Sequence, residues 1–338
     1  MKRAGNLYDA ICEPENLRFA YINARRAKMG RPDVLAFSNN LVANLENLRH
    51  ALVNETVELG KYRYFTVHDP KRRTICAAAF GERVIHHAIM NVCGPMFERY
   101  QIFDSYASRR CKGTFAALER AERFTEQSPW FLKLDIKKYF DSIDHNILRE
   151  MLGRLFKDAR LLDLLKRIIE SYEKTPGKGV PIGNLTSQYF ANHYLAAADH
   201  FIKEQLHTKR YVRYMDDMAL WNADKETLLD QSHLLEQFLS ERLALLLKPI
   251  CLNRSEMGMP FLGFRVFPDK TLLRPGSRHR FRRKIKRIHE KIIAGAISQE
   301  DYGSRSHALV AHIAHANTRG FRRAVLKEFG HRQGVPTV

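Results

Sequence analysis

The sequence predicts an α+β fold in which short antiparallel hairpins alternate with helices, and three observations carry that expectation. Residues 211–221 read Tyr-Val-Arg-Tyr-Met-Asp-Asp-Met-Ala-Leu-Trp, two β-prone apolar runs flanking Asp216-Asp217, which makes a hairpin with adjacent carboxylates at its turn. Phe131, Leu132 and Leu134 form a short apolar strand that ends on Asp135, with a helix starting near Asp144-His145. Leu41, Leu45, Leu48 and Leu52, and later Phe281, Ile285, Ile288 and Ile292, recur at intervals of four, three and four, the spacing of one helix face.

Taken in order, residues 1–60 read as helical, with the leucine stripe packing inward. Tyr62–Val67 and Arg73–Ala77 read as two strands joined by a turn at His68-Asp69-Pro70. Lys71, Arg72 and Arg73 beside that turn fit an edge-strand guard and a triphosphate grip equally well. A helix follows from Phe80. Its neighbours His86 and His87 point to different faces, so they are core or rim residues and not joint metal ligands. The polar, basic and aromatic stretch 105–113 precedes a helix near Thr114 and makes a serviceable anion cradle.

Asp141 and Asp144 are expected to offset the exposed amides of a helix start. Leu161–Ile169 is a structural helix, and Gly183 at a loop-to-helix boundary would allow close backbone approach to a bound base or sugar. A helix is expected from Gln188 to Leu206 and a Leu-rich one over 226–247, then a hairpin over 259–267. The last amphipathic stretch sets an apolar face against Arg278, Arg280, Arg282, Arg283, Lys284, Lys286, Arg287 and Lys291, which suits duplex phosphates. His307, His312 and His315 lack Cys or carboxylate support and are read as non-ligands.

The 338 residues are 45% hydrophobic, enough for a large core and more than one subdomain. With Lys+Arg 56 against Asp+Glu 37, the net charge of +19 calls for a polyanionic partner, nucleic acid before anionic membrane. No apolar run approaches the roughly 20 residues that span a bilayer, and Met-Lys-Arg-Ala-Gly leads into no signal-type segment, so a cytoplasmic protein with no membrane partner is expected. Five cysteines without a Cys-x-x-Cys pair argue against structural zinc and a disulfide framework, and are expected to be buried small hydrophobes.

The acids carry the chemistry. Adjacent carboxylates repel unless a cation lies between them, and a hard divalent ion such as Mg²⁺ suits an all-oxygen site, with Mn²⁺ as a substitute. If the Asp135 strand end lies beside the Asp216-Asp217 turn, three carboxylates converge as two-metal phosphoryl transfer requires.

Together these residues resemble a reverse transcriptase. Tyr214-Met215-Asp216-Asp217 matches the family's Tyr-x-Asp-Asp box and Asp135 to Phe140 its Asp-x-x-x-x-aromatic box, in the family's order, and the likeness runs from about Tyr62 to Phe267. The resemblance implies a right-hand polymerase: an N-terminal helical extension over 1–60, fingers over 61–125, a palm over 126–268 with a fingers-like insertion near 145–180, and a helical basic thumb over 269–338. The palm would hold an antiparallel sheet backed by helices. It implies that Asp135, Asp216 and Asp217 are catalytic and, with Ile136, hold two metal ions. Lys71, Arg73, Phe140, Ile182, Gly183 and Gln188 would bind the dNTP, with Phe140 as the gate against a ribose 2′-hydroxyl. Tyr214, Met215, Phe261, Leu262, Gly263, Arg282, Arg283 and Lys286 would meet nucleic acid, the Phe261–Phe264 stretch resembling the primer grip.

Within the family, most members, retron and group II intron enzymes included, carry Gln before the Gly of the 181–188 stretch and Ser-Pro after it. Ile182 and Ser187-Gln188 stand here, which is similar to the enzymes of diversity-generating retroelements, as are Arg83–Ala88 and Asp104–Ala107. That likeness implies copying of a template-repeat RNA into cDNA with errors at adenines, and a small basic accessory protein forming a pentameric barrel. A retron-like or group II intron-derived enzyme of ordinary fidelity is the alternative. Lys248-Pro249-Ile250-Cys251 departs from the family's Asn-Pro-Lys-Lys, which leaves the role of Lys248 open.

Overall fold

The computed structural model describes residues 2–68 and 72–330. The first half of the chain runs α1 (Tyr8–Cys12), α2 (Pro14–Arg25), α3 (Pro32–Asn39), α4 (Leu41–Val53), β1 (Tyr62–Val67), β2 (Arg73–Ala78), α5 (Phe80–Tyr100), α6 (Thr114–Glu126), β3 (Trp130–Asp135), α7 (Tyr139–Ser142), α8 (His145–Leu155) and α9 (Ala159–Glu170). The second half runs α10 (Leu185–His200), β4 (Arg210–Tyr214), β5 (Asp217–Asn222), α11 (Lys225–Leu243), β6 (Cys251–Arg254), β7 (Met259–Phe261), β8 (Phe264–Val266), β9 (Thr271–Leu273), α12 (Pro275–Ile293), α13 (Gln299–Ala314) and α14 (Arg319–Gly330). The chain divides into two compact units. One takes the residues up to Arg110 with 135–208 and 233–248; the other takes 111–134, 209–232 and the chain from Pro249 on.

The first unit is helical, with α5 at its centre. Val84, Ile85, Ala88, Ile89, Cys93 and Phe97 are buried on α5, which packs against α2 and α10. The expected N-terminal helices are present, Pro14 and Pro32 standing at helix starts where the missing N–H is not needed. Of the leucine stripe on α4 only Leu52 is fully buried. Strands β1 and β2 pair antiparallel from Tyr62 opposite Ala78 to Val67 opposite Arg73, as a two-stranded ribbon with most of β1 exposed. Asp144 caps α8 by accepting from the Asn146 and Ile147 amides at 2.9 and 3.2 Å, the role its position predicts. α10 starts at Leu185, ahead of the expected Gln188, because the left-handed turn at Gly183 (φ +137°) lets the helix begin two residues later. Beyond His200 the coil widens to a π-helical turn over Phe201–Gln205 and closes at Leu206.

The second unit holds both larger sheets. One has strand order β4-β5-β3-β6, with β3 antiparallel to β6 and β4 antiparallel to β5. The central strand β5 is buried from Met218 to Trp221, and α6 packs on β4 and β5, where the Trp221 indole N–H donates to Thr125 Oγ1 at 3.1 Å. A second, three-stranded sheet runs β7-β8-β9, and α12 packs against α13 and α14. Phe281 and Ile285 are buried on α12 as their spacing predicts, but His289 is the third buried residue, with Ile288 and Ile292 only half-buried.

Cys12, Cys76 and Cys93 are buried, whereas Cys111 and Cys251 are exposed, which corrects the expectation for those two. Cys111 lies in a loop at φ +56° and Cys251 opens the edge strand β6, places where no core reaches the side chain. No helix among the described residues is long and apolar enough to cross a membrane.

Candidate active site

In the second unit the β4–β5 register sets Tyr214 opposite Asp217, leaving Met215 and Asp216 as a two-residue turn. Met215 takes φ +57°, a left-handed conformation that costs a non-glycine residue of order 1 kcal/mol and so needs support. Support comes from Arg213, fully buried, whose guanidinium donates to the Met215 carbonyl at 3.1 Å. Tyr214 accepts at its hydroxyl from Thr114 Oγ1 at 3.2 Å. Asp217, the first residue of β5, is ion-paired with Lys133 of β3.

Lys133 also lies over the Phe261 ring, 5.6 Å from its centroid, so it links the acid turn to the β7–β8 hairpin. Sequence reasoning missed Lys133. Its signal was a lone cation inside the apolar run Phe131-Leu132-Lys133-Leu134, a place where lysine is costly without a carboxylate partner. In the β7–β8 turn Leu262 and Gly263 both have positive φ (+47° and +91°), the pattern of a tight primed hairpin. The Gly263 carbonyl accepts from Ser277 Oγ at 2.7 Å and from the Arg274 amide at 3.2 Å, which ties that hairpin to the start of α12. Arg282, Arg283 and Lys286 stand exposed on α12; Arg282 pairs with Glu328 at 2.7 Å and Lys286 lies 3.8 Å from Glu290.

In the first unit, Asp135 is the last residue of β3. Its carbonyl accepts from the Lys248 amide at 2.8 Å, and its Oδ2 is 2.7 Å from Lys248 Nζ. Its Oδ1 is buried with no hydrogen-bond partner among the described residues. Ile136 is fully buried and bridges to Leu247. Phe140, half-buried in α7, has its ring 5.7 Å from that of Tyr139, and its carbonyl accepts from the Val180 amide at 2.9 Å.

That bond leads into the 181–188 stretch. The Ile182 carbonyl accepts from the Cys76 amide of β2 at 2.8 Å, and a Cβ on Gly183 would lie 2.5 Å from the Cys76 carbonyl oxygen. Only glycine fits there, for both its φ and its lack of a side chain. Gln188 Oε1 accepts from Ser108 Oγ at 2.9 Å. Arg73 is exposed at the start of β2, while Lys71 lies outside the described residues. The unit therefore gathers Ile182 and Gly183 against the strand that carries Arg73, with Phe140 joined to them through Val180.

One expectation from sequence changes here, and one is met. Arg109 does not face an anion: it pairs with Glu98 at 2.6 Å and donates to the Ile102 and Ser105 carbonyls at 2.5 and 2.7 Å, so the 105–113 stretch uses that cation to hold its own turn. His86 is core, 1% exposed, and half-buried His87 is pushed down to about 4, first by burial and then by Lys28, His86 and Arg83.

Among the described residues no three His, Cys, Asp or Glu side chains stand close enough to hold a metal ion by themselves. The donor chemistry nevertheless suits a hard cation: Asp135 offers a buried carboxylate oxygen without a hydrogen bond, and Asp135 and Asp217 each hold a lysine ammonium in contact.

A buried hairpin with paired acids at its turn, in a strongly cationic chain, is the arrangement that the resemblance to a reverse transcriptase leads one to expect. The profile of the reverse transcriptase (RNA-dependent DNA polymerase) family matches residues 67–266, more than half of the chain, and the protein belongs to that family. Its α+β fold is of the right-hand polymerase class, and members of the family use divalent metal ions. The chain is 27% identical over 139 residues to the group II intron-encoded protein LtrA of Lactococcus lactis subsp. cremoris, a match covering 39% of this chain and 23% of that protein. It is 22% identical over 154 residues to the putative COX1/OXI3 intron 2 protein of Saccharomyces cerevisiae, covering 43% of this chain and 17% of that one. The matched stretch thus spans less than a quarter of either relative. Telomerase from Candida tropicalis, solved with a fragment of telomeric RNA, superposes over 80% of this chain and 55% of its own at a TM-score of 0.49 and 12% identity, a likeness too slight to argue from.

Proposed function

We propose that this protein is an RNA-directed DNA polymerase, in which Asp135, Asp216 and Asp217 together hold two divalent ions, Mg²⁺ in the first instance. The observation that carries the reading is the family match over 67–266, centred on a buried hairpin that presents Asp216 and Asp217 at its turn. Bound there, such ions would lower the pKa of the primer 3′-hydroxyl and neutralise charge on the leaving pyrophosphate. The chain's own part in this reading is to fix the acids, and the strand order β4-β5-β3-β6 supports it. In this reading Arg73 and Lys71 grip the triphosphate, Phe140 crowds a ribose 2′-hydroxyl, and Phe261–Gly263 with the cations of α12 carry the primer–template duplex. Residues 61–125 then serve as fingers, 126–268 as palm and 269–338 as thumb. Primer extension on an RNA template with Mg²⁺ and dNTPs tests it. Synthesis should stop on chelation with EDTA and with Asp216→Ala, while RNA binding by Asp216→Ala persists; absence of synthesis by the unaltered chain overturns the reading.

The finer proposal is a diversity-generating retroelement enzyme that copies a template-repeat RNA with errors at adenines, alongside a small basic pentameric accessory protein. Ile182 and Ser187-Gln188 support it. With Ile182 in place of an amide, the templating pair lacks one polar contact, so selection rests more on shape, and a contact of that kind is worth about 1–3 kcal/mol. Sequenced cDNA from Ile182→Gln should show fewer adenine errors, and an unchanged spectrum counts against this account. The intron-encoded relatives favour the other reading, a group II intron-type enzyme of ordinary fidelity. A faithful copy of template adenines by the unaltered chain would establish that one.

A further inference from the structure

The 181–188 stretch is anchored at Thr186 by a buried polar relay that the catalytic reading does not use. Thr186, fully buried in the first turn of α10, has its Oγ1 3.1 Å from Nδ1 of His86 on α5. On the other side of the imidazole, Nε2 lies 3.4 Å from Glu82 Oε1, one helical turn earlier, a polar contact that is not a hydrogen bond, and both side chains are almost wholly buried. The second oxygen, Glu82 Oε2, accepts from the Gly60 amide just ahead of β1 at 3.1 Å.

Acid, imidazole and hydroxyl in this order are also the groups of a hydrolytic triad. Thr186 is 0% exposed, so no substrate can reach its hydroxyl, and the arrangement serves to hold position. A second support runs beside it: Asn184, 1% exposed, donates to the Tyr62 hydroxyl at 3.3 Å, and Tyr62 also meets Ser171 Oγ at 2.8 Å. Burial pushes the Tyr62 hydroxyl up to about 12, so it stays protonated and able to serve both neighbours. Between Asn184 and Thr186 on one side and the Cys76 backbone on the other, the Ile182-Gly183 turn is fixed against β1, β2 and α5.

Resting on the proposed polymerase reading, we infer that Glu82, His86 and Thr186 are positioning residues for nucleotide selection: they set the height of the Ile182-Gly183 turn against the nascent base pair without touching it. The shape of the pocket, on which discrimination rests once Ile182 replaces an amide, is then only as firm as this relay.

The test compares Thr186→Val, which keeps shape and removes the hydroxyl, with Thr186→Ser, which restores it. In Thr186→Val, amide hydrogen exchange over residues 182–188 should quicken about fivefold, the size of one lost buried hydrogen bond. The KM for dNTP should rise by a similar factor with kcat nearly unchanged, and the misincorporation spectrum should shift; Thr186→Ser should return all three to the starting values. His86→Gln should reproduce the Thr186→Val pattern. Unchanged exchange over 182–188 overturns the inference whether or not the chain polymerises. Equal losses in kcat and thermal midpoint without a change in KM or spectrum overturn it too, since they mark a merely structural role. Failure of the unaltered chain to extend a primer overturns the polymerase reading instead, and the exchange result still decides whether the relay fixes the turn.

Discussion

The two hairpins that bear the proposed chemistry are built in opposite ways. In β4–β5, Tyr211, Val212, Arg213 and Met218–Trp221 are all buried, and the turn itself is pinned through the buried Arg213. In β1–β2 the outer strand is mostly exposed, with Tyr64 58% and Phe65 40% accessible, and among the described residues the sheet has two strands. The first is a fixed mount. The second is a light arm whose rigidity comes from its base, where Tyr62 and Cys76 engage the 181–188 stretch. The contrast follows from the tasks proposed for them. Carboxylates that share cations must be held to within a fraction of an ångström, which only a packed sheet achieves. Cations that grip a triphosphate must admit and release it at each cycle, which a marginally stable two-stranded ribbon permits.

The contrast can be broken at either hairpin. Asp216→Ala should lower primer extension by about a thousandfold or more, since metal-borne stabilisation is worth several kcal/mol, while leaving the thermal midpoint nearly unchanged. A modest loss would show that the acid turn is not the mount of the reaction. Leu220→Ala, at a fully buried position of β5, should cost about 2–5 kcal/mol in denaturant unfolding. A small cost there would mean that the mount is not rigid. Arg73→Ala should raise the KM for dNTP by roughly ten- to a hundredfold, the range for one charged hydrogen-bonding group, with kcat largely kept. An effect confined to kcat would place Arg73 in the chemical step and not in substrate capture. Phe65→Ala on the exposed face of β1 should change stability by no more than about 0.5 kcal/mol, and a larger loss would show that the ribbon is packed against a partner in solution.

Much of this was legible in the residues, and unevenly so. Short β-prone runs bounded by turn residues located β1, β2, β3 and the β4–β5 hairpin to within a residue or two, because each strand is set by residues near one another in the chain. Helical spacing located α4, α9 and α12 in the same way. The α12 pattern erred at its end: His289 is buried where the spacing favoured Ile288 and Ile292, because the rings of Tyr302 and Phe329 surround it, partners no local period reveals. The cationic 105–113 stretch suggests an anion cradle, but Glu98 takes its Arg109, and the partner of Lys133, Asp217, is distant in the chain.

By itself the sequence determined the element types, the acid-bearing turn and the membership in a polymerase family, since these depend on residues near one another along the chain. Tertiary structure alone decided which charges are spent on the fold, that Lys133 and Lys248 each engage a carboxylate, and that His86 comes to lie between Glu82 and Thr186. Those are long-range pairings, and a buried polar group takes whichever partner the packing brings to it.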